Sequence, residues 1–455
     1  MKEILAFIED NKDHSLVELF DFLRIKSIST AEENKQDVRD CAEFLKKHLI
    51  DIGLSNTEIL ETKGHPIVYS EYIQSKELPT VLIYGHYDVQ PPDPYELWVS
   101  DPFQPEIRGE HIFARGISDD KGQLFCHVKA IESMLKCKGA LPVNIKLLFE
   151  GEEEIGSEHL PEFIEENKEK LSADVAVISD TPMVNRDQPA LCFSVRGMIY
   201  CELELTGPNK DLHSGQYGGF VQNPIQALAQ MITRLKDEND VVQIPGFYDD
   251  VEGPSSLEKE SLNKLISEEN KILEQLDCEV FVGDETKSVA EKKCVYPTFD
   301  CNGIYGGYTD PGAKTIIPSK ATAKMSMRLT AKQDPYKILE SFKAYLKEIT
   351  PPGIKSKLTV MNIANPAKMD TESLFMKAAY DAFSSVHKNP PLFIGEGGTI
   401  PVVADFQHIL GIDTVMMGFN CPDDDIHSPN ERMLVDGFMN GIKTSAYFLN
   451  ALGKR

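Results

Sequence analysis

At 455 residues the chain exceeds what one ordinary hydrophobic core serves, so two domains are expected. Hydrophobic residues make up 41% and charged residues 26%, the proportions of a soluble globular protein. The formal net charge of −25 excludes a nucleic-acid surface or an anionic membrane as partner, and it tolerates small cationic or zwitterionic substrates.

Met1 to Phe22 alternates apolar and charged residues at helical spacing and lacks the apolar core of a signal peptide. No apolar run approaches the length of a membrane span. Nine cysteines are scattered singly with no Cys-x-x-Cys pair. That usage fits reduced thiols in the cytoplasm rather than a disulfide framework or a cysteine zinc site.

In chain order, residues 3–24 and 36–52 read as amphipathic helices, and 66–73 and 80–85 as strands. A helix is expected from Gly122 to Leu135, a buried strand from Val143 to Phe149, an acidic helix over 158–170 and a strand at 175–178. Strands alternating with helices predict an α/β domain whose mixed, largely parallel sheet is flanked by helices. The pattern then changes. Ala190 to Leu205 reads as a strand pair turning at Arg196-Gly197, followed by a Gly-rich loop at 207–219 and a helix at 223–236. Residues 237–300 are acidic and carry no clear period. A strand at 321–329, a helix at 334–348 and a strand at 356–363 complete an inserted α+β layer. From about Pro366 the first style returns, with helix 371–386, strand 413–418 and a last helix over 433–452. The expected division is therefore 1–189 with 366–455, and 190–365 as the insert.

The chemistry gathers where strands end. The run Val81-Leu82-Ile83-Tyr84 leads into Gly85-His86-Tyr87-Asp88, and ligands of open α/β sheets collect at such ends. In a strand, residues two apart share a side, so Asp88 can accept a hydrogen bond from one ring nitrogen of His86 and leave the other for a metal. Asp119-Asp120 are adjacent acids in a Gly-rich turn; they read either as a solvated turn or as carboxylates gathered by a cation. Glu152-Glu153-Glu154 read either as an acidic cap on the following helix or as a ligand beside a general base. Asp180 and His427 end two further loops. Imidazole and carboxylate donors without thiolates suit Zn²⁺, Mn²⁺ or Co²⁺.

The ordered set Gly-His-Tyr-Asp-Val-Gln-Pro, Gly-Ile-Ser-Asp-Asp-Lys-Gly, Glu-Gly-Glu-Glu-Glu-Ile-Gly-Ser, Ser-Asp and Ile-His-Ser-Pro-Asn resembles the M20 family of co-catalytic metallopeptidases. The likeness runs from about residue 10 to 450 and is to the long-lid dipeptidase branch, which holds cytosolic non-specific dipeptidase and carnosinase. The resemblance implies a zinc-peptidase-like catalytic domain with an inserted lid and dimerisation domain, and a cytoplasmic homodimer cleaving dipeptides. It implies two divalent ions per subunit, zinc or manganese with cobalt also suited. His86 would hold one and His427 the other, Asp119 would bridge them with a cis peptide bond to Asp120, and Glu154 and Asp180 would complete the set. Glu153 would be the general base for a metal-bridging water, and Asp88 would orient His86. His213 would reach the neighbouring subunit's site and stabilise the oxyanion. Arg328 would pair with the substrate carboxylate, for which its planar fork is suited. Glu396, Gly397, Gly398 and Thr399 would form the substrate loop.

Three departures from the family pattern bear on the substrate pocket: Asp310 where glycine is more usual, Gly395 where arginine often precedes the loop, and an acidic Asp423-Asp424-Asp425 before His427. The same fold admits an N-acyl amino acid amidohydrolase of the deacetylase or desuccinylase type, although those relatives usually carry a shorter lid. A non-catalytic metal-binding scaffold would require a missing ligand or base, and every expected position is filled.

Overall fold

A computed structural model describes residues 1–266 and 269–454. It divides into two compact units: Met1–Phe193 with Met369–Phe393 and Asp405–Arg455, and Ser194–Lys368 with Ile394–Ala404.

The first unit is built on a mixed sheet. Strand Ile67–Tyr72 lies antiparallel to Asn144–Glu150, which runs parallel to Thr80–His86. Val175–Ile178 and then Asp413–Met416 extend the parallel part, and Ala190–Val195 closes antiparallel against Met416. Strands Asn144–Glu150 and Val175–Ile178 are buried along their whole length, as strands covered on both faces must be. Helix Lys121–Lys138 follows the Asp119-Asp120 turn and is buried from Lys121 to Met134. It ends at Gly139, whose left-handed φ of 70° closes the helix without a Cβ clash. Helices Leu374–Val386 and Val435–Leu452 pack as neighbours on the same body. The consequence for function is positional. His86, the Glu152–Glu154 turn and Asp180 leave the carboxyl ends of three parallel strands, and the loop with His427 follows a fourth.

The second unit is an antiparallel sheet in the order Thr298–Gly306, Lys320–Leu329, Gly197–Thr206, Lys355–Ala364. Strand Gly197–Thr206 alternates buried and part-exposed residues, and its inward set, Ile199, Cys201, Leu203 and Leu205, joins helices Pro224–Leu235 and Pro335–Ile349 in one core. Arg328 falls on the alternate, part-exposed positions of its strand.

The structure corrects several expectations. The N-terminal helix is two, Lys2–Asp10 and Lys12–Leu23, because Asn11 leaves helical geometry and its side chain bonds the Phe7 carbonyl. The acidic helix also breaks, at Asn167, into Leu160–Glu166 and Lys168–Leu171. Residues 190–205 are not a hairpin. Ala190–Val195 is buried on both faces in the first sheet, whereas Gly197–Thr206 alternates and pairs with Lys320–Leu329 and Lys355–Ala364. Ile394–Ala404 groups with the second unit, because Arg196 holds the Gly397 and Gly398 carbonyls and Arg328 holds the Thr399 hydroxyl. The stretch without a clear period contains short helices Ser256–Asn263 and Val289–Cys294, each opened by a reciprocal Ser-x-x-Glu capping box, at Ser255/Glu258 and Ser288/Glu291.

Candidate metal centre

The loop ends of the first unit converge. A His86 ring nitrogen, an Asp119 oxygen and an Asp180 oxygen lie within 4.8 Å of one another, and so do donor atoms of Asp119, Glu154 and His427. Asp119 is common to both groups: Oδ1 is 3.0 Å from His86 Nε2 and Oδ2 is 2.9 Å from His427 Nε2. Glu154 Oε2 is 3.2 Å from the same His427 nitrogen. The Asp119-Asp120 peptide bond is cis.

The carboxylates of this cluster repel one another. Loss of water, then the carboxylates of Asp119 and Glu154, push the Asp180 carboxyl up to about 7 against the pull of His86. Glu153 is raised well above the usual carboxylate range by the same desolvation, with Asp180, Asp119 and Glu154 as repelling neighbours. Carboxylates crowded in this way are stabilised by cations placed among them. The donor set, imidazole and carboxylate with no thiolate, fits hard-to-borderline divalent ions. One carboxylate shared by two groups fits a pair of ions.

The three consecutive glutamates have separate fates. Glu152 turns back to His159, with Oε2 3.0 Å from the ring Nδ1. Glu154 joins the donor group. Glu153 is half-buried, belongs to neither donor group, and sits in the field of both His86 and Asp119.

Asp88 faces two loops at once. Its two carboxylate oxygens accept the backbone N–H groups of Glu153 at 3.2 Å and Glu154 at 3.1 Å. His86 Nδ1 lies closer to the Asp88 carbonyl, at 3.2 Å, than to its carboxylate, at 3.5 Å. The carboxylate thus ties the neighbouring loop while it also faces the imidazole, with the backbone carbonyl beside it.

Sequence reasoning missed three residues here. Gln90 donates to Glu154 Oε2 at 2.8 Å, continuing the every-second-residue series His86, Asp88, Gln90 that was its available signal. Arg115 and Glu431 form a fully buried ion pair beside Asp119, with no signal beyond standing next to the two motifs.

The remaining candidates belong to the second unit. Arg328 Nη1 donates to Thr399 Oγ1 at 2.6 Å, and Glu396 Oε1 accepts the Gly398 N–H at 3.0 Å. Arg196, also missed, donates from Nε to the Gly397 carbonyl at 2.9 Å and from its backbone to Gly398 at 3.0 Å. His213 is exposed, and its Nδ1 accepts the Gly215 N–H at 3.1 Å, so Nε2 carries the ring's proton in the neutral form.

This architecture and donor set define a hydrolase class built around a divalent-metal centre. Residues 82–451 match peptidase family M20/M25/M40, and the chain belongs to that family. It is similar to the Cys-Gly metallodipeptidase of Schizosaccharomyces pombe, 29% identical over 99% of this chain and 98% of that protein. It is also similar to the beta-Ala-His dipeptidase of Mus musculus, 31% identical over 86% of this chain and 80% of the other. Among solved structures, a family M20 metallo-carboxypeptidase from Sulfolobus solfataricus superposes with a TM-score of 0.86 at 36% identity, covering 97% of this chain and 99% of that one. The dipeptidase Dug1p of Saccharomyces cerevisiae superposes at 0.81 with 27% identity, covering 100% and 98%. As an M20 family member the chain is a peptide hydrolase. No helix among the described residues is long and apolar enough to cross a membrane.

Proposed function

We propose that this chain is a two-metal dipeptidase acting on peptides with a free C-terminal carboxylate. The observation that carries the reading is the shared Asp119 carboxylate with Glu153 beside it and outside both donor groups. His86, Asp119 and Asp180 would hold one ion, and Asp119, Glu154 and His427 the other, zinc or manganese by donor chemistry with cobalt also suited. Bound there, the ions supply Lewis acidity that polarises a carbonyl and offsets developing negative charge.

The protein's own groups do the rest. Glu153 takes a proton from the attacking water on its carboxylate and returns it to the leaving amine nitrogen. Such a base needs a pKa raised toward neutrality, and the surroundings of Glu153 act in that direction. Asp88 holds the Glu153 and Glu154 backbones. Arg328, steadied by Thr399, would take the substrate carboxylate, with Glu396 and Gly398 shaping the loop beside it. His213 would offer Nε2–H to the oxyanion of the partner protomer in a homodimer, making Ser194–Lys368 with Ile394–Ala404 the lid and dimerisation unit and the first unit the catalytic one. We place the enzyme in the cytoplasm, in line with the scattered cysteines.

The relatives supporting a dipeptide substrate are those named Cys-Gly metallodipeptidase and beta-Ala-His dipeptidase. A second reading, release of C-terminal residues from longer peptides, draws on the similar metallo-carboxypeptidase. The test is hydrolysis of matched dipeptides, tripeptides, and N-acetyl or N-succinyl amino acids by the manganese- and zinc-loaded protein. Preference for dipeptides is expected. Preference for tripeptides would favour the carboxypeptidase reading, and preference for N-acyl amino acids would favour an amidohydrolase.

A further inference from the structure

We propose that Glu431 is a positioning residue of the metal centre, a buried carboxylate that locks the loop of Asp119 to the loop of His427. Glu431 is 0% exposed and belongs to neither donor group. Its two oxygens are shared out evenly. Oε1 accepts the backbone N–H groups of Ser118 at 2.9 Å and Asp119 at 3.1 Å. Oε2 accepts the Gly116 N–H at 2.9 Å and Arg115 Nη1 at 2.8 Å. The Glu431 carbonyl in turn accepts the Ala114 N–H at 3.2 Å.

Arg115 carries the tie further. Its second terminal nitrogen donates to the Pro91 carbonyl at 3.2 Å, on the loop that brings His86 and Asp88. One buried ion pair thus fastens three ligand-bearing loops: 86–91, 115–119 and 427–431.

The physical case rests on what a packed sheet leaves loose. Asp119 lies in a turn between Phe113 and Lys121, so no ladder holds its backbone. A carboxylate accepting four donors can hold it, because charge-assisted hydrogen bonds are the strong ones and a buried charge left short of partners is costly. Glutamine keeps the shape of Glu431 but must turn an N–H₂ toward one pair of donors. It therefore loses at least two of the four bonds. Loss of a group that orients a ligand typically weakens metal affinity about 10–100-fold.

This inference rests on the reading of Asp119 as the shared ligand. The test titrates Mn²⁺ calorimetrically into the metal-free full-length protein and into Glu431→Gln, with the fold of each checked by circular dichroism. About 10–100-fold weaker binding is expected, together with a lower kcat and an unchanged KM for a dipeptide. A folded variant with wild-type Mn²⁺ affinity overturns the proposal alone. Wild-type protein that binds no Mn²⁺ overturns it together with the reading of Asp119. Should Glu431→Gln fail to fold, hydrogen exchange in the metal-free wild-type protein decides. Protection of the Gly116, Ser118 and Asp119 amides comparable to the core strand Thr80–His86 supports the clamp. Free exchange at those amides within a protected core refutes it.

Discussion

Asp88 accepts the backbone N–H of Glu153 at 3.2 Å, so the loop that ends one strand fixes the candidate base that follows another. Its second oxygen does the same for Glu154 at 3.1 Å. Asp88→Asn replaces one acceptor with a donor facing an amide. The expected cost in positioning is about 1.5–3 kcal/mol, or roughly 10–100-fold in kcat. Steady-state kinetics at saturating metal checks it, and wild-type kcat would show that the loop holds itself.

Glu153 lies in neither donor group. Glu153→Gln is expected to keep both ions while turnover falls by about 10²–10⁴. Metal analysis of the purified variant alongside its kinetics distinguishes the two roles. Loss of an ion together with activity would make Glu153 a ligand.

Arg328 is steadied by Thr399 and leaves donors for a substrate carboxylate. Removing it in Arg328→Met should lower kcat/KM by about 10²–10³, the equivalent of two charge-assisted hydrogen bonds. The loss should vanish for a substrate whose C-terminus is an amide. An equal loss on both substrates would mean that Arg328 serves the fold.

His127 is buried between Ser179 Oγ at 2.7 Å and Ser445 Oγ at 2.8 Å. Ser179 spends its proton on the Met417 carbonyl, so its oxygen accepts from His127. Burial lowers the imidazole from 6.5 to about 3. Between those values the unfolded chain binds a proton that the folded chain does not, so this group costs stability as pH falls from 6.5 and nothing above it. The stability lost in His127→Gln should therefore be largest at pH 8. It should shrink below pH 6.5 by about 1.4 kcal/mol per pH unit, measured by urea unfolding of metal-free protein. A difference that stays constant with pH would contradict a neutral buried imidazole.

Gly418 follows the strand Asp413–Met416, and a Cβ there would fall 1.2 Å from the Thr181 carbonyl oxygen, next to Asp180. That neighbour is backbone and has nowhere to turn. Gly418→Ala should destabilise by about 3 kcal/mol and weaken metal binding as well. An unchanged urea midpoint would count against this close approach.

The parallel strands could be read because burial on both faces leaves short apolar runs, such as Val175-Ala176-Val177-Ile178. The site could be read because ligands had to fall where those strands end, at His86 and Asp180. The 190–206 segment misled for a related reason. A glycine after an apolar run reads as a turn, yet Arg196 is held by Gly398 from far along the chain. The short helices at 256–263 and 289–294 were hidden because two turns are too few to show a period.

By itself the amino-acid order determined which donors were available, imidazoles and carboxylates at strand ends, since residue type and local period are properties of a few neighbours. Only the folded chain decided how they divide. Asp119 serves two groups, Glu152 leaves for His159, and Glu431 reaches back more than 300 residues to hold Asp119 in place. Such assignments depend on distances set by packing among loops remote in sequence, and no local pattern encodes them.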